Sequence, residues 1–231
     1  MKNMRYIVLA AALAVGPAFA QVPAAAGGAD FVLAAAQPSS PARVAAMRGL
    51  HQFAARFAGD AGQLPKGFPL DVRDVGQLRH ARLGWGFQVY DVSRAALMSG
   101  ADMEADAQPT GIWRYEVVLH GRPVGLLTMA RTDAGWSMVS LGGARLVGDI
   151  QDVVGAYGNQ AATRFRYVRV PQATADFIQV KHGAAAAQYA PLQAARGALR
   201  MQAQAASGSG LLEGSELRSR LRQVLARNAS N

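Results

Sequence analysis

The densest run of chemically capable side chains is Arg164-Phe165-Arg166-Tyr167-Val168-Arg169, in which cations alternate with aromatic and branched residues. At strand spacing Arg164 and Arg166 fall on one face, and Phe165, Tyr167 and Arg169 on the other, so a sheet carrying this strand would offer guanidinium groups to a polyanion. An exposed sheet face backed by a packed one gives the same alternation. A second group, Arg218, Arg220, Arg222 and Arg227, surrounds Leu217, Leu221, Val224 and Leu225 at helical spacing. Such a helix lies on an anionic membrane, docks into a partner's groove, or packs its leucines back on its own domain. Arg164, Arg166, Arg218 and Arg222 are the candidate binding residues.

Catalytic chemistry is harder to assemble. His51, His80, His120 and His182 are scattered, none with a second His or a carboxylate at metal-ligand spacing, and the chain has no Cys, so no metal site is expected. Ser137 and Ser140 sit in neither a G-x-S-x-G elbow nor an S-x-x-K motif. A hydrolytic site could be drawn from His120, Asp133 and a serine, although polar residues are ordinary in such turns. Asp149 and Asp152, three apart, suit a carboxylate pair for acid–base work, and equally read as solvated charges flanking an apolar stripe. Gly142-Gly143 before a helix resembles an anion-binding turn with Arg145 beside it, but neither phosphate-loop nor dinucleotide spacing follows. It reads as a tight strand-to-helix turn, and no cofactor is expected.

The setting in which this chemistry would act is read from the first twenty residues. Lys2 and Arg5 precede the apolar run Tyr6 to Val15, then Gly16-Pro17-Ala18-Phe19-Ala20 offers small residues to a signal peptidase. A membrane anchor needs roughly 20 apolar residues, and Gly16-Pro17 interrupts this run. Residues 1–20 therefore read as a cleaved export signal, with a periplasmic or extracellular destination. Without Cys there is no disulfide framework, so burial and hydrogen bonding must hold the fold. The formal charge is +9, and all but three of the 24 basic residues are Arg. That favours carboxylate or phosphate partners, though an Arg-rich, Ala-rich, Lys-poor composition is also what a GC-rich genome writes. Nucleic acid is not an expected partner of an exported chain.

The elements that must position these groups follow from periodicity. Residues 21–40 are an Ala/Gly/Pro/Ser leader too poor in apolar mass to order itself. Ser40-Pro41 reads as an N-cap and first helical residue, and Val44, Met47, Leu50, Ala54 and Phe57 give a helical stripe as far as Ala58. A breaker-rich loop follows, and from Trp85 the period becomes two. Gly100 to Thr110, with Asp102, Glu104 and Asp106, reads as a solvated acidic loop. Ile112 to Leu141 reads as a three-stranded meander turning at His120-Gly121 and at Thr132 to Gly135. Leu146, Ile150, Val153, Val154 and Tyr157 form one stripe of a helix, with Gln151 on its solvent side. Strands return at Thr163 to Val170 and Thr174 to Lys181, followed by a helix from about Pro191 to Ala205 and a last helix after Ser215.

The run Trp113 to Leu119, a turn, Val124 to Thr128, a turn and Gly135-Trp136 resembles small exported α+β modules of the PepSY or cystatin-like kind, in which a meander wraps a helix. The resemblance implies that architecture and transfers no functional residue. The expected fold is α+β: an antiparallel sheet, made of the meander plus two further strands, with a helix packed on one face and flanking helices at either end. The expected organisation is one domain over 41–206, a Ser/Gly linker at 207–210, and a detached cationic helix at 211–231. The function expected is a non-enzymatic binding module for a protein or an anionic envelope component, with peripheral membrane contact through that last helix. An exported hydrolase with a site in the 120–135 turns is the alternative.

Overall fold

The computed structural model describes residues 30–31, 40–57, 64–100, 102–160, 162–201 and 210–229. The segment read as an export signal, and all of the expected leader except Asp30, Phe31 and Ser40, lie outside the described residues, as does the expected linker up to Ser209. The fold is α+β, built on one open, mostly antiparallel sheet.

Helix α1 (Pro41–Ala55) begins as expected, with the Ser40 hydroxyl accepting from the Arg43 amide and Pro41 in the first turn. Its buried face is the expected one at Leu50, with Ala54 and Phe57 partly buried beside it, but not at Val44 and Met47. Val44 and Met47 are exposed, whereas Ala42, Ala46, Gly49 and Leu50 are buried. The reason is close approach: a Cβ on Gly49 would meet Met138 at 3.2 Å, so the helix seats its small residues rather than its largest ones on the sheet.

Strand β1 (Asp30–Phe31) is a two-residue parallel bridge to the strand at 163–170. Strand β2 (Arg82–Asp91) pairs with β3 (Gln108–Leu119), which continues through β4 (Arg122–Thr132) to β5 (Gly135–Gly142), the expected meander. His120 and Gly121 both have positive φ, 49° and 78°, the pairing that a two-residue hairpin turn of matching twist requires. Two glycines in β2 make room for side chains of β3. A Cβ on Gly84 would run into the Glu116 carboxylate, and one on Gly86 into the Tyr115 ring. Beyond β2 lie β6 (Thr163–Val170), β7 (Ala175–His182), β8 (Gln188–Pro191) and β9 (Leu212–Glu213). β2 and β6 run parallel and join the two halves, while the pairs outward from them are antiparallel.

Helices cover both faces. On one, α4 (Ala144–Tyr157) seats Val147 and Ile150 among Phe87, Val89, Leu126, Phe165, Tyr167 and Ile178. Gln151, expected on the solvent side, instead donates to the buried Glu116. Burial raises the Glu116 pKa to about 7, against a lowering from that hydrogen bond. On the other face α1 lies over β4 and β5 at one end. At the far end sit the short helices α2 (Arg94–Ser99), α3 (Met103–Asp106) and α5 (Gln193–Ala198) with α6 (Gly214–Ala229).

The last helix is not detached. Leu217 and Leu221 are fully buried, Val224 and Leu225 nearly so, in one cluster with Val168, Val170, Phe177 and Tyr189. Two short strands missing from the sequence reading, β8 and β9, lead the chain to it. The acidic loop is solvated only in part: Asp102 is exposed and caps α3 through the Glu104 amide, whereas Glu104 pairs with Lys181 and Asp106 with Arg218.

Candidate functional site: a cationic recess over β6 and β7

The turn between β6 and β7, the 3-10 segment Pro171–Ala173, ends at Thr174 in the left-handed region (φ 49°) and fixes the register of the two strands. Arg164 stands opposite Lys181, Arg166 opposite Gln179, and Tyr189 of β8 beyond Gln179. Directly opposed residues share a face, so these five line up on the side of the sheet away from α4. The alternate residues Phe165, Tyr167, Ile178 and Val180 pack beneath α4. The alternation expected for the Arg164 strand is therefore present.

α1 and α6 cap the two ends of this face, and only the four-residue α3 bears on the middle. There a recess of about 110 Å³ opens, lined by Glu104, Arg164, Phe165, Arg166, Gln179 and Lys181. Lys181 Nζ lies 2.7 and 2.9 Å from the two Glu104 oxygens. Arg166 stacks over the Tyr90 ring at 4.7 Å and donates to the Glu104 carbonyl at 3.3 Å. Arg164 is exposed and donates to the Gly183 carbonyl. Among the described side chains Arg164, Arg166 and Lys181 face Glu104, and Asp30 of β1 stands at the register position beside Arg164.

The floor of the recess is polar and unsatisfied. Gln179 is 3% exposed, and its Oε1 is buried with no hydrogen-bond partner among the described residues. The adjacent Tyr189 hydroxyl is in the same condition. Burial first, then the carboxylates of Asp102 and Glu104, raise the Tyr189 pKa against the lowering by Arg166 and Arg218, so the hydroxyl keeps its proton. Buried polar groups without partners are costly, of order 1–3 kcal/mol each, and are rare enough in folded proteins to mark a place where something else completes them.

Arg218 and Arg222 do not join this recess as binding groups. Arg218 is 6% exposed, donates to the carbonyls of Ala96 and Leu97, and pairs with Asp106 at 2.8 Å. Arg222 donates to the carbonyls of Leu97 and Met98. Together they satisfy the end of α2, whose last carbonyls have no partners within the helix. Their charge serves packing, and the cationic stripe of α6 is in part spent inside the domain.

The other candidates disperse. His120 and Asp133 lie at opposite ends of the eleven-residue β4, on the order of 30 Å apart at strand rise, and no acid–base pair forms from them. Asp149 pairs with Arg196 and accepts from the Gln193 amide at the start of α5, and it lines a recess of about 70 Å³ together with Asp152, Tyr157 and Arg196. Gly142 and Gly143 have φ of 149° and 74° and make the strand-to-helix turn. Among the described residues no group of three or more His, Asp or Glu side chains is placed to hold a metal ion, and no helix is long and apolar enough to cross a membrane.

Lys181, Gln179, Glu104 and Tyr189 were not singled out by the sequence. A usable signal for the first two was present. Folding the chain back about Pro171 to Thr174 sets residue 164 against 181 and 166 against 179, which pairs Arg with Lys and Arg with Gln on one face. Comparison of the chain with protein-family models, with curated proteins and with solved structures finds no match in any of the three.

Proposed function

We propose that the protein is an exported, non-enzymatic binding module that takes an anionic group into the recess over β6 and β7. The observation that carries this reading is the gathering of Arg164, Arg166 and Lys181 around one recess whose floor holds the acceptor Gln179 Oε1. Two guanidinium groups and an ammonium around so small a volume repel one another unless an anion is shared among them, and Glu104 offsets one charge of three.

The test is a titration with acetate and with inorganic phosphate at constant ionic strength, followed by amide chemical shifts of residues 163–182. Saturable shifts centred on Gln179 and Lys181 are expected. The double variant Arg166→Ala/Lys181→Met, verified as folded by its urea midpoint, should lose at least tenfold in affinity. Identical titrations of the two proteins would overturn the reading.

A further inference from the structure

The recess does not stand alone. Glu104, its one acid among the described side chains, also borders a larger cleft of about 650 Å³ that runs between α3 and the start of α6. The two compartments differ in charge. The acids of the cleft are Asp102, Glu104 and Glu213. Its two cations are Arg218, paired with Asp106, and Arg222, bonded to backbone carbonyls; of its acids Glu104 is paired with Lys181 and Glu213 accepts from Gln188, which leaves Asp102, the cap of α3, as the acid without a cationic or side-chain partner among the described residues. The recess holds the opposite excess. Tyr189 stands opposite Gln179 of the recess, and its ring lies beside Gly214 of the cleft, which places it between the two.

Resting on the binding reading above, we infer that the ligand is the free carboxyl end of a peptide, its carboxylate in the recess and its preceding residues in the cleft. Three features of the chemistry select this class. The recess needs an anion for Arg164, Arg166 and Lys181, and beside it a donor for the vacant Gln179 acceptor. A terminal peptide unit supplies both, because its last N–H is separated from the carboxylate by a single carbon. The cleft needs donors or a cation along the body of the ligand, which backbone N–H groups and a basic side chain provide. An oligouronate would set further carboxylates against Asp102 and Glu213, and an acyl chain would lay methylenes on them, so both are disfavoured. Gly100, Ala186, Ala187 and Gly214 along the cleft leave space for a main chain to approach.

The experiment is fluorescence anisotropy with an amino-terminally labelled, alanine-rich hexapeptide carrying one lysine, prepared as the free acid and as the carboxamide. The acid should bind at least tenfold more tightly than the amide, and Lys181→Met should remove most of that difference. Exchanging the peptide's lysine for glutamate should weaken binding severalfold through the cleft. Equal binding of acid and amide, or tighter binding of a hexauronate than of the peptide, would overturn this inference. A continued saturable response to acetate in that case would leave the recess itself standing as an anion site, and the absence of both responses would remove the binding reading as well.

Discussion

The sharpest quantitative consequence of the fold lies at Glu116. This carboxylate is 4% exposed beneath α4, beside a glycine that clears space for it and with Gln151 as its hydrogen-bond donor. Burial lifts its pKa from 4.5 to about 7. A folded-state pKa above the unfolded value means that the native state binds the proton more tightly. The resulting stabilisation is fully present below pH 4.5 and is lost as pH rises through about 7. A difference of 2.5 pH units at 1.36 kcal/mol each is about 3 kcal/mol in full, of which about 2.5 kcal/mol falls between pH 5 and pH 8. Glu116→Gln keeps the acceptor for Gln151 and removes the titration. The urea stability of the variant relative to the parent should therefore rise by about 2.5 kcal/mol from pH 5 to pH 8, or roughly 5–10 °C in midpoint for a chain of this size. A difference between the two proteins that stays flat across that range would show that Glu116 is solvated and that the α4 interface is not as tight as described.

Other outcomes follow from the same packing. Ile150→Ala should cost about 2–5 kcal/mol in urea unfolding, while Val44→Ala on the exposed side of α1 should cost under about 0.5 kcal/mol. Arg218→Ala leaves the part-buried Asp106 without its cation, while the Ala96 and Leu97 carbonyls keep Ser99 and Arg222 as donors, and should cost about 3–5 kcal/mol, so that near-parental stability would return α6 to the role of a detachable segment. Gly84→Ala should destabilise by about 1–3 kcal/mol, and pairing it with Glu116→Ala should recover part of that loss by clearing the obstructing side chain. If the export reading holds, amino-terminal sequencing of the secreted form should begin at Gln21, and a retained Met1 would refute it.

Where the sequence was informative, the information was local. The meander, the strand at 163–170 and the helix at 144–157 follow from alternation and turn chemistry that a few neighbouring residues determine, and each is present. What could not be read was anything decided by a distant partner. The buried face of α1 is set by Met138, so the larger residues Val44 and Met47 were the wrong guide. The arginines of α6 look like a membrane-facing stripe in isolation, but the carbonyl and carboxylate partners of Arg218 and Arg222 lie more than a hundred residues earlier. Half of the recess was visible as Arg164 and Arg166. The rest depended on the β6–β7 register and on Glu104, which arrives from an acidic segment that composition alone describes as solvated.

The parallel β2–β6 pair has a kinetic meaning. Every other ladder in the main sheet path joins strands that are consecutive in sequence, but this one must wait for β3, β4, β5 and α4 to be synthesised before its second strand exists. Until then Phe87 and Val89 have no Tyr167 to pack on, and the open edge of β2 is bare. The cluster around Phe177 and Tyr189 waits longer still, for Leu217 and Leu221 of α6. Closing such distant contacts is slow, since the loop entropy is lost before the pairing rewards it. The half of the sheet built on β6 to β9 therefore stays incomplete until α6 arrives, whereas the cluster that joins α1 to β3, β4 and β5 draws only on residues 42–141 and can close first.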